Sequence, residues 1–314
     1  MKFDIFEKMI KKLSVDEIDV EESRQLANLK RLDPMRVFYN VKNFKVMHEG
    51  YKIPVRLYFP KRRNQKNPPN VFIYIHGGGW TTDSVDTYDR ICAKLARVTN
   101  HYVFSIDYRL APEHKFPTGL LDCYKVIEVL YKYIDASRIT LIGDSAGGNL
   151  VAAVSLLAKM NNEFKPLRQI LIYPAVNSDY SEDSPFASVH ENGEDYILTR
   201  GKLQDYIDLY SSQESDKTNP FFAPIYAKDV SDQPDTLVIT CELDPLKDEG
   251  KAYANKLMEA GNVVVTHEIK NAMHGFFALG ITNFHVDECF ETIQSFLKER
   301  ENSACQTNEN IGEN

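Results

Sequence analysis

The sequence predicts an α/β fold, a mostly parallel eight-stranded sheet covered on both faces by helices and carrying a small helical cap. Short β-type runs recur from residue 44 onward, and the later ones are separated by helical patterns. That alternation implies right-handed βαβ units. It lapses at the N-terminus and again between Asn177 and Asp235, where the cap is expected.

Phe3, Phe6, Ile10 and Leu13 recur at helical spacing, and a second helix is expected around Val20 to Leu32 before Pro34 stops it. Together they make residues 1–43 an N-terminal cap segment. Its interleaved charges are mixed in sign, which favours packing on its own protein over lying on a membrane surface. The runs FKVM (44–47) and VRLYF (55–59) lie close together and predict an antiparallel edge. The sheet then continues through VFIYI (71–75), YVFSI (102–106), RITLI (138–142), ILIY (170–173), TLVIT (236–240) and VVVTHEI (263–269). Helices are expected near 86–98, 118–134, 145–160, 200–211, 247–260 and 284–299. Residues 44–299 therefore read as the main domain, with 177–235 as an insertion above the sheet that joins the N-terminal helices as a lid. The tail 300–314 is polar and aperiodic, so disorder is expected there.

Composition narrows the function. The chain has 314 residues, 43% of them hydrophobic, enough for a large core without metal or disulfide support. A formal charge of −8 repels phosphate backbones and argues against nucleic acid as a partner. The basic run Lys61, Arg62, Arg63 sits beside Asn and Pro and reads as a solvated loop tip. Five cysteines, odd in number and free of any C-x-x-C pair, suggest neither a disulfide framework nor a zinc site and suit a reducing cytosol. The N-terminus lacks an uninterrupted apolar h-region, and no segment offers about 18 consecutive apolar residues. A cytoplasmic protein with no membrane span is expected. Oligomeric state stays open, a homodimer included.

Gly143, Asp144, Ser145, Ala146 and Gly147 fit G-x-S-x-G, a pattern that gains meaning only between a strand and a helix, which is where it falls. Small residues on both sides let strand and helix pass closely, so Ser145 is driven to an exposed, strained point with a helix N-terminus aimed at it. Its hydroxyl needs a base, and the base needs a carboxylate, in the chain order Ser, acid, His. His48, His76, His101 and His114 come too early, His190 falls in the insertion, His267 lies inside a strand and His285 begins the last helix. His274 alone occupies a short loop between last strand and last helix. For the acid, Asp244 follows a strand directly and precedes Pro245, with Asp248 and Glu242 as competitors. Asp248 better suits the start of the next helix, and Glu242 the support of the loop. His76, Gly77, Gly78, Gly79 and Trp80 follow the VFIYI strand, where bare backbone can aim N–H groups at one oxygen, with Ala146 N–H as a further donor.

HGGGW (76–80), YRLAPEHKFP (108–117), GDSAGGNL (143–150), DPLKDEG (244–250) and HGF (274–276) together resemble the hormone-sensitive-lipase-like carboxylesterases of the α/β-hydrolase superfamily, over residues 44–299. The resemblance implies Ser145 as nucleophile, Asp244 and His274 as its partners, and Gly78, Gly79 and Ala146 as oxyanion donors. It implies no cofactor and no metal, and a small, short-acyl ester as substrate. Arg109 and Glu113 of the second motif are expected to brace the active-site floor. Trp80 departs from the Phe of many relatives and is a candidate substrate contact; HGG-x-W also resembles arylformamidases, which keeps an amide-cleaving reading open. A non-catalytic ligand receptor on the same fold is the remaining alternative, and the presence of His274 weighs against it.

Overall fold

The computed structural model describes residues 18–61, 70–194, 196–278 and 284–311, with side chains as far as Arg300. The first expected helix, around Phe3 to Leu13, and most of the basic loop after Lys61 lie outside these residues. The sheet has eight strands: β1 (Val41–His48), β2 (Tyr51–Tyr58), β3 (Val71–Ile75), β4 (Tyr102–Ile106), β5 (Ile139–Asp144), β6 (Arg168–Ile172), β7 (Asp235–Leu243) and β8 (Val264–Met273). Their order across the sheet is β1-β2-β4-β3-β5-β6-β7-β8. The expected edge is there: β2 is antiparallel to both β1 and β4, and every other pair is parallel.

The described helices are α1 (Val20–Asn28), α2 (Asp89–Thr99), α3 (Thr118–Tyr131), α4 (Ala146–Asn161), α5 (Ala187–Glu191), α6 (Arg200–Tyr210), α7 (Lys247–Glu259) and α8 (Phe284–Ile311). Every residue of β3, β5 and β6 is buried, as strands covered on both faces must be. Alternate side chains enter two cores. Val71, Ile73 and Ile75 join the one formed with α3, α4 and α7, while Phe72 and Tyr74 join the one formed with α2 and α8.

Three expected boundaries move. α1 stops at Asn28, and the chain tightens into 3₁₀ turns at Leu29–Arg31 and Pro34–Phe38, a common ending for a short helix. Pro34 thus opens a turn capped by Asp33 rather than closing a helix. The tail expected to lack regular structure continues α8 as far as Ile311, since no Gly or Pro interrupts it before Gly312.

The strand order reverses between β3 and β5. From β3 the chain runs to β4 on one side, then crosses back to β5 on the other, which opens a crevice beyond their carboxyl ends. The glycine run following β3 and the serine following β5 both border that crevice.

Candidate active site

Ser145 sits between the last residue of β5 and the first of α4, at φ 55° and ψ −123°, a conformation costly to any residue with a Cβ. Gly147 shows why the neighbours are small: a Cβ there would lie 2.1 Å from the Ile75 carbonyl oxygen and 2.6 Å from that of His76. β5 and α4 can therefore turn tightly against the end of β3. The bend is fastened by Ser145 N–H to Ile172 O at 2.9 Å and by Asn149, whose amide donates to Ala175 O and Phe222 O at 2.8 Å each.

The structure brings the three expected side chains together. Ser145 Oγ is 2.9 Å from His274 Nε2, and His274 Nδ1 is 2.8 Å from Asp244 Oδ2. Asp244 is fully buried just beyond β7, and its other oxygen accepts Leu246 N–H at 2.9 Å. A register shift between Cys241 and Leu243 pairs Leu243 with Met273, so β7 and β8 deliver Asp244 and His274 side by side. The imidazole lies against the Tyr173 ring, 4.7 Å between centroids.

The competing residues are occupied elsewhere. Asp248 accepts Ser188 N–H at 2.8 Å, tying α7 to α5, and Glu242 accepts Asn271 N–H at 2.9 Å. His48 pairs with Asp122, His267 with Glu288, and His76 Nδ1 meets Gly77 O. His101 bonds Thr99 O, and burial lowers its pKa to about 4. His190 bonds Ser184 O, and His285 faces the Phe276 ring. Arg109 makes two bonds to the Asp122 carboxylate, at 2.8 and 2.7 Å, which tie its loop to α3.

Gly78, Gly79, Ser145, Ala146 and His274 share the wall of a cavity of about 390 Å³. Gly78 (φ 103°) and Gly79 (φ 57°) are left-handed, and a Cβ on Gly79 would lie 2.4 Å from Tyr206 of α6. Ala146 opens α4, so its N–H has no acceptor one turn earlier in the helix. Asp19, Glu22, Ser23 and Leu26 wall the cavity from the N-terminal side, and Ile197, Leu198, Leu203 and Tyr206 from the insertion. Trp80 also borders it, but its indole is 97% buried and stacks on Tyr210 at 4.6 Å and 2°. Its ring packs into the wall, where the lining still includes it.

Sequence reasoning missed Asp144. Its fully buried carboxylate accepts Tyr74 OH and Tyr88 OH at 2.8 Å each, Gly77 N–H at 3.2 Å and Tyr173 OH at 3.3 Å. Burial raises its pKa, opposed by the two short tyrosine bonds. The available signal was a carboxylate closing a mostly apolar strand, next to the serine. Glu249 was missed too: it accepts Val176 N–H at 2.7 Å, Asn177 N–H at 3.1 Å and Tyr180 OH at 3.1 Å, while burial, aided by the nearby Asp244 charge, pushes its pKa up to about 8.

Residues 72–278 match the sequence profile of a family described by its alpha/beta hydrolase fold. The chain belongs to that family. An arylesterase of Saccharolobus solfataricus is 36% identical over 264 residues, 82% of this chain and 84% of that one. An ethyl acetate hydrolase of Pseudomonas putida is 32% identical over 246 residues, 76% of each chain. The structure of a hyperthermophilic esterase from Pyrobaculum calidifontis superposes with a TM-score of 0.84 at 32% identity, covering 95% of this chain and 98% of that one. The family branch is that of the hormone-sensitive-lipase-like carboxylesterases, and the chain is a carboxylic ester hydrolase by membership. No described helix is long and apolar enough to cross a membrane.

Proposed function

We propose that the protein is a serine carboxylesterase acting on small, short-acyl esters through an acyl-enzyme formed on Ser145. One observation carries the reading: the continuous relay from Ser145 Oγ through the imidazole of His274 to buried Asp244, with links of 2.9 and 2.8 Å. Asp244 accepts the proton-bearing Nδ1 of His274, which leaves the Nε2 lone pair facing the serine hydroxyl. Ser145 Oγ attacks the ester carbonyl as His274 takes its proton. The carbonyl oxygen becomes an anion, received by N–H groups of Gly78, Gly79 and Ala146. The tetrahedral species collapses, its alcohol leaves with the proton from His274, and water activated by the same imidazole releases the acid and restores Ser145.

The short-acyl preference is supported by the walls that the N-terminal segment and the insertion set on two sides of the cavity, and by the relative named for ethyl acetate. A cytoplasmic setting is part of the proposal, supported by Cys92, Cys123, Cys241 and Cys289, all buried as free thiols.

A p-nitrophenyl ester series from acetate to decanoate, with an N-formyl arylamine beside it, tests the reading. The proposal expects kcat/KM to peak at butyrate or shorter and the formyl amide to be a far poorer substrate. A decanoate optimum would sink the short-acyl assignment, preference for the amide would favour the formamidase alternative, and hydrolysis of neither would favour a receptor.

A further inference from the structure

The segment from Ile18 to Lys30 crosses the cavity mouth and is fastened at both ends and near its middle. Ile18 N–H donates to Asp205 of α6 at 3.0 Å, and Lys30 pairs with Asp83 at 2.9 Å. Between them, Asp19, Glu22, Ser23 and Leu26 follow a helical i, i+3, i+4, i+7 spacing and turn one face of α1 and its cap to the cavity.

Arg24 lies on a different face. Its guanidinium holds the Glu113 carboxylate through two bonds of 2.7 Å each, donates from Nε to Thr81 O at 2.9 Å, and from Nη2 to Ala111 O at 3.0 Å. Those acceptors belong to the two loops that flank Trp80, and Ala111 N–H itself donates to Trp80 O at 2.9 Å. One planar fork thus joins the cap helix, the turn carrying the glycine run and the YRLAPEHKFP loop. A lysine could not reproduce that geometry, because an ammonium offers a point charge rather than a fixed array of donors.

The geometry points to Arg24 as a positioning residue that fixes the α1 wall of the substrate cavity and so governs how tightly the ester is held. This rests on reading the cavity as the ester site. The turn beneath Arg24 is closed independently, with Thr81 N–H and Thr82 N–H both donating to Gly78 O, at 3.1 and 2.9 Å. Ser145, His274 and Asp244 make no hydrogen bond with α1 in their relay. Loss of Arg24 is therefore expected to loosen the binding wall and to spare the chemistry. The ion pair alone is a weak anchor, because Glu113 is more than half exposed and water screens such pairs. The two carbonyl bonds distinguish Arg24 from an ordinary surface charge.

The test compares Arg24→Met, Arg24→Lys and Glu113→Gln with the unmodified chain, using p-nitrophenyl butyrate and counting reactive serines with a p-nitrophenyl phosphonate. Arg24→Met should raise KM at least fivefold while kcat per titrated site stays within threefold. Arg24→Lys should fall nearer to Met than to wild type, and Glu113→Gln, which leaves the carbonyl bonds, should raise KM less than threefold. An unchanged KM with fewer titrated sites or a lower Tm would overturn the inference, as would equal effects of Glu113→Gln and Arg24→Met. Titration at Ser145 with no movement of KM would sink this inference alone, whereas failure to titrate Ser145 in the unmodified protein would sink the esterase reading itself.

Discussion

Adding one methyl group at Gly79 probes the glycine turn most sharply. In Gly79→Ala the new Cβ would stand 2.4, 2.5 and 2.7 Å from Cδ1, Cε1 and Cγ of Tyr206. Carbon atoms rest at about 3.5–4.0 Å, so the ring or the turn must give way by roughly 1 Å. The φ of 57° adds about 1–2 kcal/mol for a residue bearing a Cβ, and overpacking adds about 1–3 kcal/mol. At about 2–4 °C per kcal/mol, Tm should fall by roughly 4–20 °C. If the turn yields, the oxyanion donor proposed at Gly79 is displaced, and loss of one such donor reduces kcat about 10²- to 10³-fold. The assay is kcat on p-nitrophenyl acetate per titrated serine, with a calorimetric Tm beside it. Tyr206→Ala in the same chain removes the obstacle, so the double variant should return to within tenfold of Tyr206→Ala alone. Full activity in Gly79→Ala would contradict a steric role for Tyr206, and so would a double variant as poor as the single one.

The remaining predictions concern the acid, the histidines and a buried carboxyl. Asp244→Asn should lower kcat by roughly 10³- to 10⁴-fold through loss of the imidazole's orienting charge, whereas Asp248→Asn, whose carboxylate accepts Ser188 N–H, should keep kcat within threefold. His267→Gln should leave kcat within twofold, because that ring pairs with Glu288 on α8. Glu249 has a folded pKa of about 8 against an ordinary 4.5, so the native chain keeps a proton that the unfolded chain releases. Its contribution is complete below about pH 4.5 and is lost as pH rises towards 8, at up to about 1.4 kcal/mol per pH unit. Tm measured at pH 5, 6, 7 and 8 should therefore fall more steeply for the wild type than for Glu249→Gln; parallel curves would contradict the assignment.

Much of the fold was legible because β3, β5 and β6 are buried on both faces and must be written in apolar residues. The same logic explains the misplaced start of β6. Arg168 and Gln169 are polar yet buried, and the Gln169 side-chain NH2 donates to Thr236 Oγ1 at 2.9 Å, a pairing that hydrophobicity does not reveal. β8 runs on to Met273 because its last residues lie at the sheet edge, where polar side chains such as Lys270 and Asn271 face solvent. Ser145, Asp244 and His274 were legible because each terminates a strand or opens the loop beyond one, at a position the chain order restricts. The cap was not. Arg24, Lys30 and Asp205 act through contacts with residues 53 to 187 positions away, and no local pattern encodes such partners. Asp144 was equally hidden, since its partners Tyr74, Tyr88 and Tyr173 come from three separate segments.

The most direct measurement of the central claim is the site and stoichiometry of covalent labelling by diethyl p-nitrophenyl phosphate, followed by peptide mass spectrometry and residual activity. The relay geometry predicts one phosphoryl group per chain, on Ser145, with hydrolysis lost in proportion and labelling slowed by orders of magnitude in His274→Ala. A label on another residue, or ester hydrolysis that persists when Ser145 is fully labelled, would contradict it.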